Sequence, residues 1–199
     1  MTADITISGL SIKIVAAYGP TEARSDGLKA QFWRDLHKAI KVDKRQQLLL
    51  MGDLNSTTTL TSRPQPTHFH GQTVFDESHN NNGERLVDFI YQTQLTLLNT
   101  CFRHKPKHKY TWYSADRKTR KTLDYVITAD FMKSFCLDVR VRNGYDFFGS
   151  DHRLQVARFR TPKTKIGRKI HRAKKKSKKI DSKALNSELI DQYCQDLER

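Results

Sequence analysis

The stretch Leu48-Leu49-Leu50-Met51-Gly52-Asp53-Leu54-Asn55 decides how this chain is read. Four consecutive apolar residues without alternation predict a strand buried on both faces, of the kind found inside an α/β sheet. Gly52 stops the apolar run, which puts Asp53 and Asn55 in the turn that follows, at the mouth of a sheet. A spacing of two places carboxylate and amide on one face, where both can address one water. A turn that spends Asp and Asn on its own hydrogen bonds is the competing reading of the same residues.

Toward the N-terminus, Ile5, Ile7, Leu10, Ile12, Ile14 and Val15-Ala16-Ala17-Tyr18 predict one or two strands meeting a loop at Gly19-Pro20. Leu28, Phe32, Leu36 and Ile40 recur every four residues among polar ones, which predicts a helix covering the sheet. Toward the C-terminus, residues 56–83 are rich in Thr, Ser, Pro, Asn and His without periodicity and read as a long surface loop. His68 and His70 belong to that loop, because no further metal ligands stand at useful spacing. From Glu84, the residues Leu86, Val87, Phe89 and Ile90 predict a short helix, followed by strands over 95–98, 110–114, 122–128, 138–142 and 152–159. Strands alternating with helices, then strands in succession, predict an α/β sandwich.

The 199 residues, 37% of them hydrophobic, allow one folded domain plus a tail, divided near residue 160. No run approaches the roughly 18 apolar residues of a membrane helix, and no signal peptide stands at the N-terminus, so a soluble intracellular protein is expected. Cys101, Cys136 and Cys194 are odd in number and far apart, and they read as reduced thiols. The formal charge of +15 favours a polyanionic partner. Residues 160–179 hold 11 Lys/Arg and no Asp/Glu, while residues 1–159 hold 23 basic and 16 acidic side chains, a net of +7. The segment 161–199 is read as a basic arm or linker with a helical pattern at 183–197. Its run at 160–179 is a candidate nuclear localisation signal.

Three further motifs carry chemistry. Asp151-His152 sets a hard oxygen ligand beside an imidazole that can hold or protonate a phosphate oxygen, although alone it reads as a solvated loop. Asp124 sits in Leu123-Asp124-Tyr125-Val126-Ile127, where a charge among apolar residues needs a partner, such as a histidine, or an outward-facing edge position. The basic segments Arg103 to Lys109 and Arg117, Lys118, Arg120 and Lys121 could grip backbone phosphates. Phosphodiester hydrolysis needs an aligned water, a group to deprotonate or orient it, and positive charge on the non-bridging oxygens.

Taken in order, Tyr18…Pro20, Gly52-Asp53-Leu54-Asn55, Thr111-Trp112, Leu123-Asp124-Tyr125 and Ser150-Asp151-His152 resemble the endonuclease/exonuclease/phosphatase superfamily. Within it, Ala17-Tyr18-Gly19-Pro20-Thr21-Glu22, Asn82-Gly83-Glu84-Arg85-Leu86-Val87-Asp88 and Tyr110-Thr111-Trp112 look most like non-LTR retrotransposon endonucleases of the RTE/CR1 type. The resemblance covers about residues 5–160. It implies a DNase I-like four-layered α/β sandwich, two packed sheets flanked by helices, and a DNA-nicking endonuclease dependent on Mg²⁺ or Mn²⁺.

By position, the resemblance implies that Tyr18 contacts the scissile phosphate, Asp53 activates or aligns the water and Asn55 orients it. His152, held by Asp124, would stabilise the phosphate, and Asp151 would join the metal site. Thr111, Trp112, Arg117 and Lys118 would bind substrate. A reverse transcriptase domain would follow in a longer polyprotein. The family's domain opens with an asparagine-bearing strand and a strand whose glutamate is a principal metal ligand, and only 17 residues precede Tyr18 here, Asp4 being the sole acid among them. The expectation is therefore a domain incomplete at its N-terminus, with a partial metal site. A remnant that binds nucleic acid without cutting it, and a phosphatase of the same superfamily, are the competing readings.

Overall fold

Gln46–Asp53 (β3) runs through the middle of a five-stranded sheet, as its unbroken apolar run requires. The computed structural model describes residues 1–43, 46–58, 79–142 and 149–160. The sheet holds β1 (Thr2–Ile7), β2 (Leu10–Tyr18), β3, β7 (Asp124–Thr128) and β4 (Thr96–Leu97), in the order β1-β2-β3-β7-β4. β2 and β3 are parallel, and the other neighbours are antiparallel. Two further pairs, β5–β6 (Trp112–Tyr113 and Arg120–Lys121) and β8–β9 (Cys136–Arg142 and Leu154–Phe159), are antiparallel ribbons.

Period-two alternation divides the sheet's side chains between two cores. Val15, Leu48, Leu50, Tyr125 and Ile127 face α1 (Asp26–Ala39) and α2 (Asn81–Thr93), meeting Trp33, Leu36, Leu86, Phe89 and Ile90. Ile12, Leu49 and Val126 face the other way, against Val139 of β8 and Met132 of the short α3 (Asp130–Lys133). Among the described residues this gives helices, central sheet and a two-stranded ribbon as layers, where the family resemblance implies four.

Three expectations change. The α1 stripe is not Leu28-Phe32-Leu36-Ile40: Leu28 is 56% exposed, and the buried line is Lys29, Trp33, Leu36 and Ile40. A spacing of four advances about 400° around a helix and drifts by about 40° at each step, whereas alternating spacings of four and three hold one face. Of the loop read over 56–83, residues 59–78 lie outside the described residues, and both ends differ from the reading. Ser56, Thr57 and Thr58 are buried, and α2 starts at Asn81 behind an Asn80 cap that accepts from Gly83 N, not at Glu84. The strand read over 95–98 keeps two residues, then turns into a 3₁₀ helix, Leu98–Cys101. His68, His70, Cys194 and the segment 161–199 lie outside the described residues.

Candidate active site

Three strand ends assemble the site. In the β2–β3 pairing Tyr18 stands opposite Asp53, and in the β3–β7 pairing Asp53 stands opposite Asp124. Gly52 makes this approach possible: its φ is +142°, and a Cβ there would meet the Ala17 carbonyl oxygen at 1.9 Å. β3 runs on through Asp53, so the carboxylate belongs to the strand end and only Asn55 lies in the turn. Asn55 takes a left-handed φ of 48°, donates its backbone N–H to Asp53 Oδ1 at 2.8 Å, and donates its side-chain amide to the Gly19 carbonyl at 2.8 Å. Local turn bonding and a place in the site are thus both true of this pair.

His152 joins the two carboxylates. Its Nδ1 lies 3.0 Å from Asp124 Oδ2 and its Nε2 lies 3.7 Å from Asp53 Oδ2. The hydrogen bond to Asp124 raises the His152 pKa above the ordinary histidine value, with the charges of Asp124, Asp53 and Asp151 adding to it against the opposing effect of burial. Burial raises the Asp53 pKa above the usual carboxylate value, helped by the Asp124 charge and opposed by the Asn55 N–H. Asp151 accepts the Trp112 indole N–H at 2.6 Å, and a β-bridge pairs Trp112 with His152.

Tyr18, Asp53, Asn55, Trp112, Asp124, Asp151 and His152 line one cleft of about 680 Å³. Tyr18 is 73% exposed there, open to a ligand. Thr111, expected among the substrate contacts, is fully buried. Its Oγ1 accepts the backbone N–H groups of Leu123 and Asp124 at 3.0 and 3.1 Å, so it fixes the start of β7 and reaches the site only through Asp124. Arg117 lines an adjoining recess and not this cleft, Lys118 is exposed on the β5–β6 connection, and the lysine that does enter is Lys121.

Residues whose composition reads as loop hold the site together. Asn80 lines the cleft, accepts from Thr57 N at 2.9 Å and donates to the Asn55 carbonyl at 2.9 Å. Asn82 is fully buried; it accepts the Trp33 indole N–H at 3.3 Å and donates to the carbonyls of Pro20 at 2.7 Å and Asn55 at 3.4 Å. A Cβ on Gly83 would meet the Thr57 carbonyl at 1.8 Å. One helix start thereby clamps the Tyr18 turn and the Asn55 turn together. The signals in the sequence are the Asn80-Asn81-Asn82-Gly83 run, whose composition is also that of a loop, and the Asn82–Asp88 stretch that carries part of the family resemblance.

Four carboxylates (Glu22, Asp53, Asp124, Asp151) face Lys121 and His152 in the cleft, and Glu22 is paired with the buried Lys29 at 3.0 Å. Oxygen donors of this type are what Mg²⁺ or Mn²⁺ takes. Among the described residues, however, no three His, Cys, Asp or Glu side chains are grouped to hold a metal ion. Asp53 and Asp124 engage His152, and Asp151 engages Trp112. The described residues therefore do not by themselves fit the divalent ion that the resemblance implies. No helix among them is long and apolar enough to cross a membrane.

Asp53 and Asp124 at strand ends of a mixed sheet with His152 against them, helices on one face of the sheet and a ribbon on the other, fit the endonuclease/exonuclease/phosphatase class with its DNase I-like fold. Solved structures carry the same fold. A 3' phosphatase from Neisseria bound to product DNA hairpin superposes with a TM-score of 0.58 at 18% identity, covering 80% of this chain and 65% of that one. The endonuclease domain of TRAS1, a telomere-specific non-LTR retrotransposon, gives 0.52 at 15% identity, covering 81% and 64%. A family model described as Endonuclease-reverse transcriptase matches residues 12–156, and the chain belongs to that family. Craniofacial development protein 2 of Bos taurus is 30% identical over 151 residues, 75% of this chain and 25% of that protein. The chain thus spans about a quarter of that relative's length.

Proposed function

We propose that this chain is a phosphodiesterase domain that nicks DNA. The observation that carries the reading is the relay Asp124–His152–Asp53, 3.0 Å and 3.7 Å long, set beside an exposed tyrosine at the mouth of the sheet. Asp124 fixes the imidazole's orientation and favours its protonated form, so that Nε2–H⁺ meets a non-bridging phosphate oxygen. Asp53, with Oδ1 turned to the Asn55 N–H, has Oδ2 3.7 Å from His152 Nε2, too far for a hydrogen bond between them, so that an attacking water can be taken by Oδ2, and Tyr18 offers its hydroxyl to the phosphate. Asp151 and Trp112, the latter from the β5–β6 ribbon, form one wall of this cleft. The basic body and the 160–179 run support DNA as the polyanion and the nucleus as its place.

Conversion of supercoiled plasmid to nicked circle, followed with and without Mg²⁺ or Mn²⁺, tests the reading. Asp53→Ala and His152→Ala are each expected to lower the rate by about 10²–10⁴-fold, the range of a lost acid–base group. A rate that survives both substitutions removes the proposal. The absence of a grouped metal set among the described residues favours one second reading, a domain that binds nucleic acid without cutting it. That reading predicts salt-sensitive binding unchanged by Asp53→Ala and by Mg²⁺, and no nicking.

A further inference from the structure

Of the four carboxylates described in the cleft, Glu22 alone takes no part in the Asp124–His152–Asp53 relay or in the Trp112 contact. Its Oε1 accepts from Lys29 Nζ at 3.0 Å. Lys29, in the first turn of α1, has 5% of its side chain exposed, and Glu22 has 47%. A buried ammonium needs a counter-charge, which Glu22 supplies more closely than Asp26 at 3.8 Å. The pairing also acts in the other direction: a glutamate side chain that would otherwise wander in solvent is tied to a group packed inside the protein. The backbone around it is tied as well. Gly19 N–H donates to the Asp53 carbonyl at 2.7 Å, the Pro20 carbonyl accepts from Asn82 at 2.7 Å, and Arg24 N–H donates to the Thr21 carbonyl at 3.0 Å. Glu22 is therefore held at a set place relative to Asp53, and a group ordered before its ligand arrives binds without the cost of ordering it.

What such a group can meet follows from the chemistry of the substrate. An ionised carboxylate only accepts hydrogen bonds, and it repels phosphate oxygens. Along an uninterrupted DNA strand the phosphates and the deoxyribose offer no donor, which leaves the bases. In a duplex, N6 of adenine and N4 of cytosine donate in the major groove and N2 of guanine in the minor groove, whereas thymine offers acceptors and a methyl group. Among the described residues Glu22 Oε2 takes no hydrogen bond, so the anchored carboxylate still has an oxygen to give. We infer that Glu22, positioned by Lys29, accepts a hydrogen bond from the amino group of a nucleobase beside the scissile phosphate. The cleft thereby prefers sequences that place an amino group there. The inference rests on the proposed phosphodiesterase reading for the place of that phosphate, but the base contact itself is read out by binding alone.

The test uses the full chain carrying Asp53→Asn, to suppress turnover, and fluorescence anisotropy at fixed KCl. The probes are short labelled duplexes in which one base at a time lacks its amino group: purine for adenine, hypoxanthine for guanine, 2-pyrimidinone for cytosine. One position is expected at which removing the amine weakens binding about tenfold, and with Glu22→Ala added, binding there should become indifferent to the amine. Lys29→Met keeps the carboxylate but frees it from its anchor, and should shrink that loss. Should Glu22→Ala fail to fold by circular dichroism, Glu22→Met with Lys29→Met removes the pair without leaving a buried charge, and is expected to behave as Glu22→Ala does. A pair that served folding alone would change affinity equally for every duplex. Such a uniform change would overturn the inference, as would a position-specific loss that persists without Glu22. A loss undiminished by Lys29→Met would overturn the positioning by Lys29. Failure of the parent chain to nick plasmid, with the amine-dependent binding intact, would count against the hydrolytic reading alone.

Discussion

His152 lies between two carboxylates that act on it differently. The Asp124 hydrogen bond holds its pKa above the ordinary histidine value, while burial holds Asp53 above the ordinary carboxylate value. Activity that needs protonated His152 and ionised Asp53 should follow a bell. Its acid limb lies above the usual aspartate range and its alkaline limb above the usual histidine value. Asp124→Asn removes the largest cause of the His152 shift, so the alkaline limb of kcat/KM against pH should move to lower pH; a limb that stays in place excludes His152 as the titrating group. For folding, a raised histidine pKa gives stability that is complete below the ordinary histidine value and is lost as pH rises through the elevated one. The meeting of Asp53, Asn55, Asp124, Asp151 and His152 was legible in the sequence from the order of the motifs. The part played by Thr111 was not, because its hydroxyl serves two backbone N–H groups, and backbone partners leave no trace in residue spacing.

At the scale of elements, α2 does more than cover the sheet. Its first turn ties the Tyr18 and Asn55 turns through Asn80 and Asn82. Asn82→Ala would take the described partner from the Trp33 N–H and the Pro20 carbonyl, while the Asn55 carbonyl keeps Asn80, and should cost about 2–4 kcal/mol, a few times the roughly 1 kcal/mol of a typical buried hydrogen bond. Urea unfolding measures it, and an unchanged midpoint would show that these groups find other partners. Gly83→Ala should be at least as damaging, since its Cβ collides with backbone and not with a flexible side chain. The existence and order of β2, α1, β3, α2, β7, β8 and β9 could be read from apolar periodicity. Their ends could not: whether a polar residue such as Asn82 caps, bonds inside the core or stays in water depends on contacts distant in sequence. The short β6 and α3 carry too few residues for any period to show.

For the whole molecule, charge is divided by task. The cleft holds four carboxylates, while residues 1–159 as a whole carry a net of +7 and residues 160–179 a further 11 positive side chains. Long-range attraction to a polyanion is therefore expected to come from outside the cleft, and from the C-terminal run most of all. Removing residues 161–199 should weaken non-specific DNA binding about tenfold or more at low salt and flatten its salt dependence. The rate of cleavage at saturating DNA should stay the same. Binding titrations at two salt concentrations, paired with the saturated rate, check both halves. A fall in the saturated rate would place part of the tail in the chemistry.

The registers Tyr18↔Asp53 and Asp53↔Asp124 make the site a matter of counting. Each reactive group sits at a fixed number of residues along its own strand, and the three strands must agree. Adding or deleting one residue within β3 would turn Asp53 to the opposite face and interchange the inventories of the two cores. A library of single-residue insertions should therefore find the segment 46–53 intolerant throughout its length. Apolar exchanges among Leu48, Leu49 and Leu50 should meanwhile be accepted at modest cost. Change in this domain is thus confined to swapping letters at its centre, while its length is free to vary only in the connections between elements.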